Sequence, residues 1–198
     1  MKDIFKLVLS LGLVCAIGSF ALSRVYTTTK APIEAAHAAS LMASLKLVLP
    51  PETASTVPID GTMFFKALDA NGKQIAYAAQ ADGKGGFGGD VTVLVGLDMG
   101  GKILAVMVTE NSETPGIGSK ATDRKVQKSL WDVLAGKSAD VAFPPNEYLD
   151  SYANRDVKGG FEFGKDGLHA VSGATYSSTA ILNAINAVGK AFNELQGN

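Results

Sequence analysis

Cysteine is nearly absent from this 198-residue chain: Cys15 is the only one, and it lies inside an apolar N-terminal stretch. One cysteine excludes an intrachain disulfide, an iron–sulfur site built on the chain's own thiolates, and a paired-cysteine haem attachment. A lipid-modified Cys15 is disfavoured by Val14, where a lipoprotein signal wants a smaller residue. Histidine is scarce too. His37 and His169 are far apart, and no carboxylates at ligand spacing accompany them, so no metal site is expected. An excess of one charge is also missing. The 18 Lys and Arg nearly balance 19 Asp and Glu, giving a net charge of −1. Without a basic run there is no stripe to neutralise phosphates, which argues against nucleic acid as a partner. Internal repeats and low-complexity tracts are absent.

What is present begins with a long uncharged run, Leu7 to Leu22, reading LVLSLGLVCAIGSFAL. Counted from Ile4 to Tyr26 it reaches the roughly 20 helical residues that a bilayer requires. Lys6 lies near one end, where its stem can snorkel. Lys2 and Lys6 precede the run and Arg24 and Lys30 follow it. That slight bias favours an N-terminus in the cytoplasm and everything after Tyr26 outside the cytoplasmic membrane, on the periplasmic side. Ser19-Phe20-Ala21 loosely fits a small-x-small cleavage site, so a removed signal peptide is the competing reading. Both readings export the remainder.

The exported part starts with a helix over Pro32–Leu49. Its stripe is Ile33, Ala36, Ser40, Leu41, Ser44, Leu45 and Val48, with His37 beside it as a surface residue. Pro50-Pro51 stops that helix. Strands follow over Thr62–Leu68 and Gln74–Gln80, joined at Asn71-Gly72, a strong hairpin signal. After the glycine-rich loop Asp82–Gly89, a second strand pair runs over Asp90–Leu97 and Ile103–Thr109, turning at Gly100-Gly101. A helix is expected over Asp123–Leu134, with Val126, Leu130, Val133 and Leu134 inward and Gly136 as its stop. Phe143–Gly159 reads as an irregular connection, and Gly160–Phe163 and Leu168–Val171 as short strands. Ile181, Leu182, Ile185, Val188, Phe192 and Leu195 mark a last amphipathic helix, which Ser177, Ser178 or Thr179 can cap. The expected fold is α+β: one domain of mainly antiparallel sheet with flanking helices, behind one transmembrane helix. Residues 1–26 form the tip and anchor, 27–60 a membrane-proximal helix and linker, and 61–198 the domain.

Chemistry concentrates in His169–Thr179, HAVSGATYSST. Hydroxyls crowd the approach to a helix: Ser172, Thr175, Ser177, Ser178 and Thr179. Gly173 and Ala174 leave the backbone accessible. A helix start there offers unbonded N–H groups and a positive dipole end, which suit a phosphate. On composition alone, an ordinary hydroxyl-rich helix start is the favoured reading.

Ser172-Gly173-Ala174-Thr175, followed by Ser177-Ser178, resembles the S/T-G-A-T-x-T/S-S attachment motif of the FMN-binding domain family. Glu113-Thr114-Pro115-Gly116-Ile117-Gly118 resembles that family's ETPGLG loop, with Ile117 for leucine, and Gly85 to Ile103 looks like its glycine-led strand pair. The resemblance runs from about Gly61 to the C-terminus. SGAT alone is a weak pattern; SGAT downstream of ETPGIG on an exported domain is specific. The family includes the RnfG and NqrC subunits of ion-translocating redox complexes. The resemblance implies one FMN per chain, its phosphate esterified to Thr175 by a flavin transferase with FAD as donor. It also implies phosphate surroundings from Ser172, Gly173, Ala174, Ser177 and Ser178, and a ring and ribityl seat from Glu113, Thr114, Pro115, Gly116, Ile117 and Gly118. Such a chain is an electron-transfer subunit of a membrane complex that couples electron flow between ferredoxin and NAD to Na⁺ or H⁺ transport. Its partners are the other integral-membrane and redox subunits. It is not a complete enzyme alone and needs no catalytic residue of its own. An NqrC-like subunit of a Na⁺-translocating NADH:quinone reductase is the near alternative, although those chains are typically longer. A noncovalent exported FMN module and a flavin-free envelope interaction protein are the other readings. One position departs from the motif: His169 stands where the family usually has aspartate. Lys120 is read either as a countercharge to phosphate or as a surface lysine, and Tyr176 as a stacking or a structural residue.

Overall fold

The computed structural model describes residues 2–124 and 143–197. The chain forms two compact units, Met1–Met42 and Ala43–Asn198.

The first unit is helical. Helix α1, Lys2–Val48, is one continuous helix of 47 residues with Pro32 inside it. The anchor and the Pro32–Leu49 helix, expected as separate elements, are therefore joined. In the joining stretch the threonine hydroxyls are satisfied along the helix itself: Thr28 Oγ1 donates to Arg24 O at 2.8 Å and Thr29 Oγ1 to Val25 O at 2.9 Å. Lys30 and Glu34 add an i,i+4 pair at 3.8 Å. The helix is long and apolar enough to cross a membrane. Leu7, Leu11, Val14, Phe20 and Leu22 point outward on all sides of it. A helix with exposed apolar side chains all round suits a lipid solvent.

The second unit is built on one antiparallel sheet whose strands are neighbours in chain order. These are β1 (Ser55–Pro58), β2 (Phe64–Leu68), β3 (Gln74–Gly83), β4 (Val91–Asp98) and β5 (Ile103–Glu110). Two of its hairpins use one device. Asp69 Oδ1 accepts from the N–H of Asn71 and Lys73, and Asp98 Oδ1 accepts from those of Gly100 and Lys102. Gly72 (φ +77°) and Gly101 (φ +97°) supply the left-handed step. β1 went unread in the sequence. It is a short, mostly exposed edge strand ending at Pro58, and such strands carry little periodicity.

Helix α4, Thr175–Gly197, lies across β3 and β4. It buries Ile181, Ile185, Val188 and Phe192 with Val91, Val93, Val95 and Leu97 of β4. The pleat turns Ala76, Ala78, Leu94 and Gly96 to the other face, where the end of α1 buries Leu45 and Val48. A Cβ on Gly96 would stand 2.0 Å from the Val48 carbonyl oxygen. Cover on both faces explains why β4 reads as an almost unbroken apolar run.

Three short elements complete the unit: helix α2 (Ser119–Thr122), helix α3 (Glu147–Asp150) and a 3-10 turn at Val157–Gly159. The last two replace the irregular connection expected there; single turns are too short to show a period. The strands expected at Gly160–Phe163 and Leu168–Val171 do not form. Their backbone groups are satisfied another way. The Asn186 side-chain amide accepts from Phe161 N at 2.7 Å and donates to Phe161 O at 2.9 Å. Leu168 closes a turn with Lys165 and Gly164, and Val171 N donates to Ser178 Oγ at 3.0 Å. Apart from Asp123 and Arg124, which are not helical, the helix expected over Asp123–Leu134 lies outside the described residues.

Candidate functional site

The segment SGAT is a turn that feeds α4. Ala174 N bonds Val171 O at 2.9 Å, and Gly173 takes φ +80°, which a side chain resists at that place in the turn. The helix begins at Thr175, earlier than the serine caps expected from the sequence. Ser177 and Ser178 are consequently inside the first turn, at 1% and 0% exposure, while Thr175 and Tyr176 are exposed. Ser178 N bonds Ala174 O, the first bond of the helical ladder. The N–H groups of Thr175, Tyr176 and Ser177 precede that bond and have no intrahelical acceptor. Among the described residues, Ser177 Oγ is buried without a hydrogen-bond partner.

The ETPGIG loop follows β5. Glu113 is buried at 8% exposure. Its Oε1 accepts from Gly88 N at 3.4 Å, tying the glycine-rich loop after β3 to this one. Its Oε2 is buried and finds no partner among the described residues. Glycines surround it. A Cβ on Gly118 would sit 2.2 Å from Glu113 Oε2, and one on Gly88 would sit 1.9 Å from Ser112 O. Gly116 takes φ +82°, and its N–H donates to Ser119 Oγ at 2.7 Å. Thr114, Pro115, Gly116 and Ile117 are exposed.

A cleft of about 1090 Å³ runs from the ETPGIG loop to the residues just ahead of SGAT. Glu113, Pro115, Gly116, Lys120, Tyr148, His169 and Val171 line it. Thus the structure brings half of the ETPGIG loop to the residues that lead into SGAT. Thr114, Ile117 and Gly118 do not line the cleft, nor do Ser172–Ser178. His169 is exposed on its wall rather than tucked against backbone.

Three residues that sequence reasoning passed over tie the region together. Asn146 caps α3 by accepting from Leu149 N at 3.0 Å. Its amide nitrogen donates to Lys120 O at 3.2 Å and Asp123 O at 2.9 Å, on α2 and just beyond it. Tyr148 donates to Ser178 O at 2.7 Å and meets the Tyr152 hydroxyl at 2.8 Å. Since Tyr148 spends its one proton on Ser178, Tyr152 is the donor of the pair. Burial pushes the Tyr148 hydroxyl up to about 12, against the opposing pull of its hydrogen bonds with Tyr152 and Ser178. Burial raises Tyr152 further still, helped by its role as donor. Arg124, with a side chain only 4% exposed, donates to Val106 O and Pro144 O and pairs with Asp150 at 2.7 Å. Neither an asparagine nor a tyrosine in a loop-like stretch signals such roles in advance.

The profile of the FMN-binding domain family matches residues 86–190, more than half of the chain. The chain belongs to the FMN-binding domain family. That range takes in the second half of the glycine-rich loop, the ETPGIG loop and the SGAT turn. The chain is 27% identical over 195 residues to the G subunit of the ion-translocating oxidoreductase complex of Methanosarcina acetivorans, covering 93% of this chain and 92% of that one. It is 30% identical over 118 residues to the G subunit of the Na(+)-translocating ferredoxin:NAD(+) oxidoreductase complex of Acetobacterium woodii, covering 59% of this chain and 49% of that one. The crystal structure of Shewanella oneidensis NqrC superposes with a TM-score of 0.47 at 24% identity, over 75% of this chain and 71% of that one.

Proposed function

We propose that this chain is a membrane-anchored electron-carrying subunit of an ion-translocating oxidoreductase complex, of the RnfG type, with one FMN esterified through its phosphate to Thr175. The observation that carries this reading is the placement of Thr175: an exposed hydroxyl on the first residue of α4, entered through the Gly173 turn. The surroundings fit the group. A phosphate on Thr175 meets the free N–H groups and positive end of a 23-residue helix. Ser177 Oγ and Glu113 Oε2 are two buried polar atoms that lack a partner among the described residues, and a polyhydroxylated chain is a suitable partner for such atoms. Gly116 and Gly173, with nothing within 4 Å of their Cβ positions, leave backbone open to a ligand.

When bound, FMN supplies the redox chemistry. The chain contributes attachment at Thr175, phosphate binding at the start of α4, and orientation by the ETPGIG loop. Loading is a transfer from FAD by a flavin transferase: the bond from Thr175 Oγ1 to phosphorus forms, the phosphoanhydride bond breaks, AMP leaves, and the threonine proton is released. With Lys2 and Lys6 ahead of the apolar run, the domain stands on the periplasmic side, where a lost cofactor cannot be replaced from the cytoplasm. Covalent attachment closes that route of loss. Electron partners are the membrane and redox subunits of the same complex.

The full chain, expressed with a flavin transferase, is compared with Thr175→Ala by intact mass under denaturing conditions. Wild type gains the mass of FMN less one water, and the variant gains nothing. Wild type without that mass refutes the covalent link, and a noncovalent FMN module then becomes the better reading, with His169 as the suspect position.

A further inference from the structure

We infer that Asn146 and Tyr148, carried on α3 and its cap, are positioning residues that set the SGAT turn against the ETPGIG loop. The inference rests on the FMN-carrying reading above. Helix α3 has only four residues, yet its polar side chains reach both motif-bearing segments. Asn146 donates to Lys120 O and Asp123 O, on the helix that continues directly from Gly118. Tyr148 donates to Ser178 O, inside the first turn of α4. Ser178 passes the restraint on, because its hydroxyl accepts from Val171 N on the other side of the turn. Thr175 therefore lies between two points fixed by one residue, and that residue is held by Tyr148.

All three acceptors on the motif segments are main-chain carbonyls, so α3 fixes backbone position rather than a rotamer. Asp150 secures α3 in turn: its Oδ2 accepts from Asn146 N at 3.0 Å and its Oδ1 from Arg124. Tyr152 donates to Tyr148 and leaves it a single proton, which goes to Ser178. The result is a brace beside the cleft that the ETPGIG loop and the residues leading into SGAT line.

The test uses the full chain with a flavin transferase, comparing wild type, Tyr148→Phe/Tyr152→Phe and Asn146→Asp. The double variant keeps both rings and leaves no buried hydroxyl orphaned; Asn146→Asp keeps the cap acceptor and loses the two donors. Three quantities are read: the rate of FMN incorporation, the visible circular dichroism of the attached flavin, and hydrogen exchange at Val171 and Ala174 in a flavin-free Thr175→Ala background. Each variant removes two neutral hydrogen bonds, at about three- to tenfold apiece, and is expected to slow incorporation by about ten- to hundredfold. A weaker flavin dichroism and faster exchange at Val171 accompany it, with β3 and β4 amides unchanged. Labelled variants that match wild type in all three readouts overturn the brace and leave the covalent reading intact. An unlabelled wild type sinks the covalent reading by itself. The exchange data then decide the brace alone: faster exchange at Val171 supports it, and unchanged exchange overturns it.

Discussion

Replacing Gly83 by alanine tests whether the sheet really carries the candidate attachment helix by backbone contact. A Cβ there would lie 1.9 Å from Ala180 O and 2.6 Å from Ala180 C, so both obstacles are main chain and no rotamer change relieves them. To reach an ordinary C–H to oxygen contact of about 3.4 Å, the helix must withdraw by about 1.5 Å at that point. Gly83 has no positive φ, so the substitution carries no backbone strain of its own, and overpacking is the dominant effect. Overpacking of a tight contact costs about 1–3 kcal/mol, and the upper end applies because withdrawal also loosens Ile181 and Ile185. For a chain of this size, about 3 kcal/mol corresponds to a fall of roughly 6–12 °C in Tm. Thermal unfolding of the full chain in detergent, followed by near-ultraviolet circular dichroism, measures it. Gly159→Ala serves as control, since nothing lies within 4 Å of its Cβ position; a change within about 0.5 kcal/mol is expected there. If Gly83→Ala melts within about 2 °C of wild type while the control behaves as stated, the close approach of β3 and α4 is refuted.

Further outcomes follow from other contacts. Ser178→Ala leaves the half-buried Val171 N without its acceptor and is expected to cost about 1 kcal/mol, read by denaturant unfolding. Arg124→Lys cannot reproduce the bonds to Val106 O and Pro144 O. With Asp150 half-exposed, the loss is expected at about 2 kcal/mol, and a double-mutant cycle with Asp150→Asn should assign little of it to the ion pair. Alkaline pH should destabilise the domain through Tyr148. Its hydroxyl is raised from 10.0 to about 12 by folding, so the folded state holds that proton more tightly and the contribution is complete below pH 10. It is lost as pH climbs from about 10 to 12. Denaturant unfolding as a function of pH should show that loss, and Tyr148→Phe/Tyr152→Phe should flatten it; an equally steep loss in the variant contradicts the assignment.

The sequence was most readable where local chemistry repeats. Asn71-Gly72 and Gly100-Gly101 placed two hairpins, and the apolar spacing from Ile181 to Leu195 placed the body of α4. Its first turn was misplaced because Ser177 and Ser178 look like caps, whereas one hydroxyl is buried and the other reaches back to Val171. The segments around Phe161 and Leu168 have strand-like composition, but their hydrogen bonds go to Asn186, to a turn and to Ser178. No local pattern encodes a partner as distant as Asn186. The motifs themselves could be read directly, and the cleft beside the ETPGIG loop could not, because it depends on α3. That helix is one turn long, and its decisive contacts come from Asn146 and Tyr148.

A sheet whose strands pair in order can assemble as the chain emerges, each hairpin closing on the one before. Its apolar side stays uncovered until α4 arrives from the far end of the sequence. A nascent or truncated chain without α4 would present Val91, Val93, Val95 and Leu97 to water as one sticky strip. The helix that supplies the cover also begins with Thr175. Ordering of that hydroxyl at a helix start and completion of the core are therefore a single event, and an enzyme that reads the helix start at Thr175 would be acting on chains that have already finished folding.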